Sequence, residues 1–141
     1  MFEHNKLLLV VLVFVLAYYV YAADDRPEAT FRVDVYRNVY QAIFKCISET
    51  GVHPEAIQLI RDGTYEENAA FKKFIYCNYV KSGYATEDGE MKIDDIANEF
   101  PPEYNMITIL KNCISSESDP VEKIFNSFKC YQKSSPVRMG F

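Results

Sequence analysis

The sequence predicts an all-α domain, a compact bundle of about six short helices. Three observations carry that prediction. Apolar residues recur at three- and four-residue steps in six separate segments. Glycine or proline stands at most of the joints between them. No segment alternates apolar and polar residues over a useful length, and there is no internal repeat or low-complexity tract. Helices that each carry one apolar stripe must bury those stripes against one another.

The chain begins with a polar stretch, Met1 to Lys6, followed by a continuous apolar run from Leu7 to Val20. Val20-Tyr21-Ala22 then places short residues where a signal peptidase reads them, and Asp24 and Asp25 follow. This layout predicts a secretory signal peptide, 1–22, removed to leave 23–141. A membrane anchor is the alternative, and the run is short for a span.

The first helix of the domain is expected over Thr30 to Thr50. Val35, Val39, Ala42 and Cys46 form one stripe, Tyr36, Tyr40, Ile43 and Ile47 the next, and Gly51 is the stop. Pro54 suits the first turn of a short second helix that presents Ile57 and Ile60 and ends at Gly63. A third runs from Glu66 to Ser82 with Ala70, Phe74 and Cys77 on one face, stopped by Gly83. After a turn-rich connection built on Asp88-Gly89, Lys92 to Phe100 aligns Ile93, Ile96, Ala97 and Phe100. Pro101-Pro102 ends it. Glu103 to Ile114 gathers Met106, Ile107, Leu110 and Cys113, and Ser115 to Ser118 is a loop. The last helix follows, with Asp119 as cap, Pro120 in its first turn and Glu122 placed to close a capping box. Residues 134–141 are a C-terminal tail.

Composition excludes several functions. The chain has 15 Lys and Arg against 20 Asp and Glu, a net charge of −5. Its basic residues are scattered, which argues against nucleic acid as a partner. His53 is the sole histidine of 23–141, and no Ser or Cys accompanies it in a nucleophilic arrangement. Asp94 and Asp95 are adjacent on a helix, so their side chains diverge and read as a solvated face. TEDGEMKIDDI has a glycine among acids, but a calcium loop centred on Gly89 would begin at Tyr84 and end at Asp95, the wrong ligands at both ends. No enzyme, no cofactor and no metal site is therefore expected. Cys46, Cys77, Cys113 and Cys130 are an even set in an exported chain and read as disulfides. Zinc would want close pairs. Four cysteines allow three pairings, and spacing alone does not choose.

With cysteines on its first, third, fifth and sixth helices, the chain resembles the insect odorant-binding proteins of the general-odorant and pheromone-binding type. The resemblance spans Arg32 to Tyr131 and is carried by CISETG, YCNYVKSGY and DPVEKIFNSFKCY. The usual pattern has six cysteines. Lys73 and Val121 occupy the second and fifth positions here, as in the "minus-C" subgroup. The resemblance implies the pairs Cys46–Cys77 and Cys113–Cys130, since the two missing cysteines pair with each other in the family. The second pair raises a geometric difficulty. Cys113 lies beside a loop while Cys130 is about 15 Å into its helix, so the last two helices must cross steeply or the loop must double back.

The resemblance further implies a helical cup around an internal hydrophobic cavity, stapled by two disulfides. Such a protein is a secreted carrier that takes odorants, pheromones or similar small hydrophobic molecules through extracellular fluid such as sensillar lymph. The stripes nominate its lining: Val35 and Val39, Ile75 and Tyr79, Met91 and Ile96, Ile107 and Leu110, and Ser127, Phe128 and Tyr131. Phe141 is a candidate lid, a frayed end being the alternative. The expected partners are a small hydrophobic molecule and, on delivery, an olfactory receptor or membrane. The expected state is a monomer or weak homodimer. Two alternatives stand beside this one: a secreted helical signalling protein with a filled interior, and a lipid or nutrient carrier of the same fold outside olfaction.

Overall fold

A computed structural model describes residues 2–21 and 24–140. The proposed cleavage point after Ala22 and the candidate lid Phe141 lie outside the described residues. Helix α1, Phe2–Tyr21, carries the apolar run, and its side chains from Leu7 to Leu16 are 47–71 % exposed. Among the described residues no helix is long and apolar enough to cross a membrane.

Six helices build the domain: α2 (Val33–Thr50), α3 (Ala56–Arg61), α4 (Ala69–Lys81), α5 (Ile93–Asn98), α6 (Met106–Asn112) and α7 (Pro120–Ser134). The fold is all-α, as the periodicity implied. Helix α4 packs against both α2 and α7, and the short pair α5 and α6 covers the other side. The helix ends follow local chemistry. Gly51 closes α2 in the left-handed conformation (φ +69°), its N–H donating to the Ile47 carbonyl at 3.1 Å. Asn68 caps α4, its Oδ1 accepting from the Phe71 N–H at 2.8 Å. Asp119 caps α7 in the same way, accepting from the Glu122 N–H at 2.9 Å.

Four details differ from the sequence reading. Helix α3 starts at Ala56, because Pro54 and Glu55 form a turn in which the Ala56 N–H donates to the His53 carbonyl at 3.0 Å. Helix α4 starts after Asn68, leaving Glu66 and Glu67 outside it. The expected Glu103–Ile114 helix is divided: Pro102–Tyr104 is a 3-10 turn, Asn105 is left-handed (φ 49°), and α6 begins only at Met106. A proline pair favours such an entry, and Asn tolerates the left-handed corner. Glu122 does not turn back on its own helix start; its carboxylate takes the Lys72 ammonium of α4 at 2.8 Å.

The disulfides join Cys46 to Cys77 and Cys113 to Cys130, with Cα separations of 5.7 and 5.4 Å. The loop is what brings the second pair together. Residues 113–119 double back along α7, and the Ser115 N–H donates to Ser127 Oγ at 3.0 Å. Extended chain covers about 20 Å in those six steps. The helix needs eleven steps, from Asp119 to Cys130, for about 16 Å.

The tail also folds back. Its strand β2 (Arg138–Met139) lies parallel to β1 (Glu28–Ala29), Ala29 opposite Met139. Arg26 fastens this corner: its guanidinium donates to the Gln132 and Ser135 carbonyls at 2.7 and 2.9 Å, at the C-terminal end of α7 where a cation is favoured. Asp24 pairs with the same guanidinium, which holds its carboxyl below the usual carboxylate range. Gly63 (φ +72°) lets this arm lie against the end of α3, because a Cβ there would collide with the Asp24 and Arg26 side chains.

Candidate functional site: an apolar cavity

The interior is two apolar clusters with a hollow between them. One holds Phe71, Phe74, Ile124, Phe125 and Phe128, contributed by α4 and α7. The other holds Phe100, Met106, Leu110, Tyr131 and Val137, from the α5–α6 side, the last turn of α7 and the tail. The hollow has a volume of about 100 Å³ and an almost wholly apolar wall. That is room for a small organic guest rather than one water.

Helix α2 contributes Val35, Tyr36, Val39 and Ile43 to the wall, and α4 contributes Phe74, Ile75, Asn78 and Tyr79. Ile96 of α5 continues into Glu99 and Phe100, and Phe128 faces in from α7. Phe31, Ile60, Ser82, Tyr84 and Met139 complete it. Phe31 and Phe100 meet edge to face with ring centroids 4.9 Å apart, joining the approach to α2 to the end of α5.

Most polar groups of the wall are tied to the fold. Asn78 Nδ2 donates to the Phe74 carbonyl at 2.8 Å, and Ser82 Oγ donates to the Asn78 carbonyl at 2.5 Å. Asn38, behind the wall, donates from Nδ2 to the Ser82 carbonyl at 2.8 Å. Glu99 meets the Arg32 guanidinium at 3.2 Å. The Tyr79 hydroxyl belongs to this enclosed space: burial pushes its pKa well above the ordinary phenol value. The side chain is half-buried and lines the hollow.

Of the residues expected in the lining, Val35, Val39, Ile75, Tyr79, Ile96 and Phe128 stand in this wall. Five others stand elsewhere. Leu110 and Tyr131, 2 % and 1 % exposed, are consumed by packing in the second cluster. Ser127 points at the 113–119 loop: its Oγ accepts from Ser115 and donates to the Lys123 carbonyl at 2.9 Å. Met91 is half-buried against both clusters, in a turn that bridges to Ala85. Ile107 is half-buried on α6, outside the wall.

The missed residues divide by cause. Tyr36, Ile43, Phe74 and Asn78 were legible in principle, because the faces turned inward run 35-36-39-43 and 74-75-78-79 and straddle two stripes each. Phe31 and Met139 were not, since one precedes a helix and the other arrives through long-range pairing of the tail.

Residues 28–134 match the model of the PBP/GOBP family. Two solved structures are similar. One is a medfly odorant binding protein, with 28 % identity over 70 % of this chain and 88 % of that one, and a TM-score of 0.56. The other is odorant binding protein 7 of Anopheles gambiae, solved with four disulfide bridges and in complex with an azo compound. It shares the fold at a TM-score of 0.60, with 21 % identity over 74 % of this chain and 89 % of that one. Four cysteines in two disulfides fit the minus-C form of this fold. By its family match, its helical architecture and its cysteine pairing, this chain belongs to the PBP/GOBP family.

Proposed function

We propose that the protein is a secreted carrier of small hydrophobic molecules, exported under a leader of residues 1–22 and binding its guest in the cavity between the two clusters. The observation that carries this reading is the hollow itself. Domains of this size normally fill their interior to crystal-like density, whereas this one keeps about 100 Å³ open behind an almost wholly apolar wall. A signalling bundle has no use for such a space. Withdrawing about 200–300 Å² of guest surface from water supplies roughly 5–8 kcal/mol gross. Association costs reduce this to micromolar binding. Family membership supports carriage of hydrophobic ligands in general, and odorants or other semiochemicals are the class proposed here. The exposed apolar face of α1 supports a leader, since the domain buries none of Leu7 to Leu16.

The test is displacement of N-phenylnaphthylamine from the secreted chain by a panel of medium-chain alcohols, ethers, esters and terpenes. Saturable, micromolar displacement is expected, and Val39→Trp, which fills the hollow, abolishes it. No probe binding by the folded, disulfide-bonded protein overturns the reading.

A further inference from the structure

Two kinds of unpartnered polar atom border the hollow, and only one kind is open to a guest. Asn78 Oδ1 and Glu99 Oε2 make no hydrogen bond among the described residues, but both are sealed from water, and a guest reaches no further than water does. Tyr79 differs from them. Its ring packs against both apolar clusters at once, so it stands where the hollow parts them. Its hydroxyl also makes no hydrogen bond among the described residues, yet it is not one of the sealed atoms. That hydroxyl lies deep enough for burial to hold its pKa well above the ordinary phenol value. An unsealed atom at that depth, on a side chain that lines the hollow, opens on the hollow. The other hydroxyls of the wall have partners or a charged neighbour. Ser82 Oγ donates to the Asn78 carbonyl at 2.5 Å, and the Tyr36 hydroxyl accepts from the Phe31 N–H at 3.3 Å. Tyr84 lies beside the Glu99 carboxylate, which adds to burial in raising its phenol.

We infer that the Tyr79 hydroxyl is the polar anchor of the cavity and favours guests that accept a hydrogen bond, a ketone, aldehyde or ester carbonyl, over hydrocarbons of the same skeleton; this rests on the carrier reading above. A hydroxyl withdrawn from water without a partner loses hydrogen bonding that an apolar wall does not return. A carbonyl oxygen has lone pairs to accept the phenol hydrogen and brings no hydrogen of its own that needs an acceptor. The rest of the wall is almost wholly apolar, gains nothing from a carbonyl and favours the hydrocarbon. Removing the one hydroxyl therefore separates the two guests.

Propiophenone and propylbenzene make the comparison on one skeleton, a carbonyl in place of a methylene, each displacing N-phenylnaphthylamine from the disulfide-bonded secreted chain. Tyr79→Phe is expected to lower the ratio of propiophenone affinity to propylbenzene affinity about tenfold, the effect of one lost hydrogen bond. The infrared carbonyl stretch of bound propiophenone is expected below its position in hexane, and to return toward that position in Tyr79→Phe. An unchanged ratio or an unshifted stretch overturns the inference and leaves the carrier reading standing. A loss of the ratio in Tyr36→Phe or Tyr84→Phe that Tyr79→Phe does not show overturns the role of Tyr79. Without a guest, Tyr79→Phe is expected to keep the urea midpoint of the unaltered chain, since its hydroxyl has no partner to lose. A lower midpoint shows that the hydroxyl is bonded within the fold and overturns the inference. Failure of the probe and both compounds to bind overturns the carrier reading and the inference together.

Discussion

The two walls of the cavity are built differently. On one side α2, α4 and α7 are long helices, and Phe71, Phe74, Phe125 and Phe128 between them are 0–1 % exposed. Phe125 and Phe128 stack at 6.3 Å, and Phe71 meets each of them at 6.2–6.4 Å. Cys46–Cys77 staples this side across 31 residues. The opposite wall is made of α5, with six residues, the turn that carries Glu99 and Phe100, Phe31 and a two-residue strand pair, with α6, of seven residues, packed behind it. Its staple, Cys113–Cys130, spans only 17 residues and holds the end of α6 to α7, leaving β2 to hydrogen bonds and to Val137. Short elements with few buried aromatics open locally at lower cost than long packed ones. On the proposed carrier reading the two sides divide the work: the aromatic side is expected to hold the shape and the tail side to be the one that opens.

The missing third staple of the family fits this division. Lys73 and Val121 replace its cysteines on α4 and at the start of α7, within the aromatic side. Neighbouring residues bind the same two helices without it. Lys72 reaches Glu122 at 2.8 Å and lies over the Phe125 ring, 5.4 Å from its centre.

Four experiments test the asymmetry, in descending order of expected effect. Phe71→Ala strikes the centre of the aromatic side and is expected to cost about 4 kcal/mol, read as a lower urea midpoint with unchanged slope. A loss under about 1 kcal/mol would mean that this wall is not the one that holds the fold. Removing Cys46–Cys77 as a double serine variant is expected to cost about 3.5 kcal/mol and removing Cys113–Cys130 about 3 kcal/mol, in the chain-entropy account. The sharper expectation concerns hydrogen exchange: the second variant should loosen the α6 and tail amides while α4 stays protected. Val137→Ala empties a fully buried site in the tail and is expected to cost about 2 kcal/mol. It should speed release of bound N-phenylnaphthylamine, because Met139 follows two residues on in the wall; unchanged release would show that the tail is not the moving side.

The smallest effect is alkaline. Burial pushes the Tyr131 phenol up to about 12 and raises Tyr79 as well. An unfolded tyrosine ionises near pH 10. A folded pKa above the unfolded one means that these groups' contribution is complete below about pH 10 and is lost as pH rises toward 12. Titration by phenolate absorbance should show these two tyrosines ionising only as the cavity comes apart. If all the tyrosines titrate near pH 10 in the folded protein, the space between the walls is wet.

Legibility followed the range of the interactions involved. Helix stops at Gly51 and the cap at Asp119 were readable because they depend on residues within one turn. The inward face of α2 was half-readable: Val35 and Val39 were assigned from one stripe, while Tyr36 and Ile43 belonged to the adjacent one. Tyr131 and Leu110 show the limit. A stripe residue that fills a core and one that borders a hollow look identical along the chain, and what separates them is whether a neighbouring element closes over them.

The sequence by itself determined that this is an all-α domain with cysteines on or at the ends of four defined helices, because periodicity and end chemistry act over a few residues. Only the tertiary structure decided where the hollow lies, that the 113–119 loop runs back along α7, and that the tail brings Met139 into the wall. Those outcomes depend on how distant surfaces share volume, and an empty space belongs to no single residue.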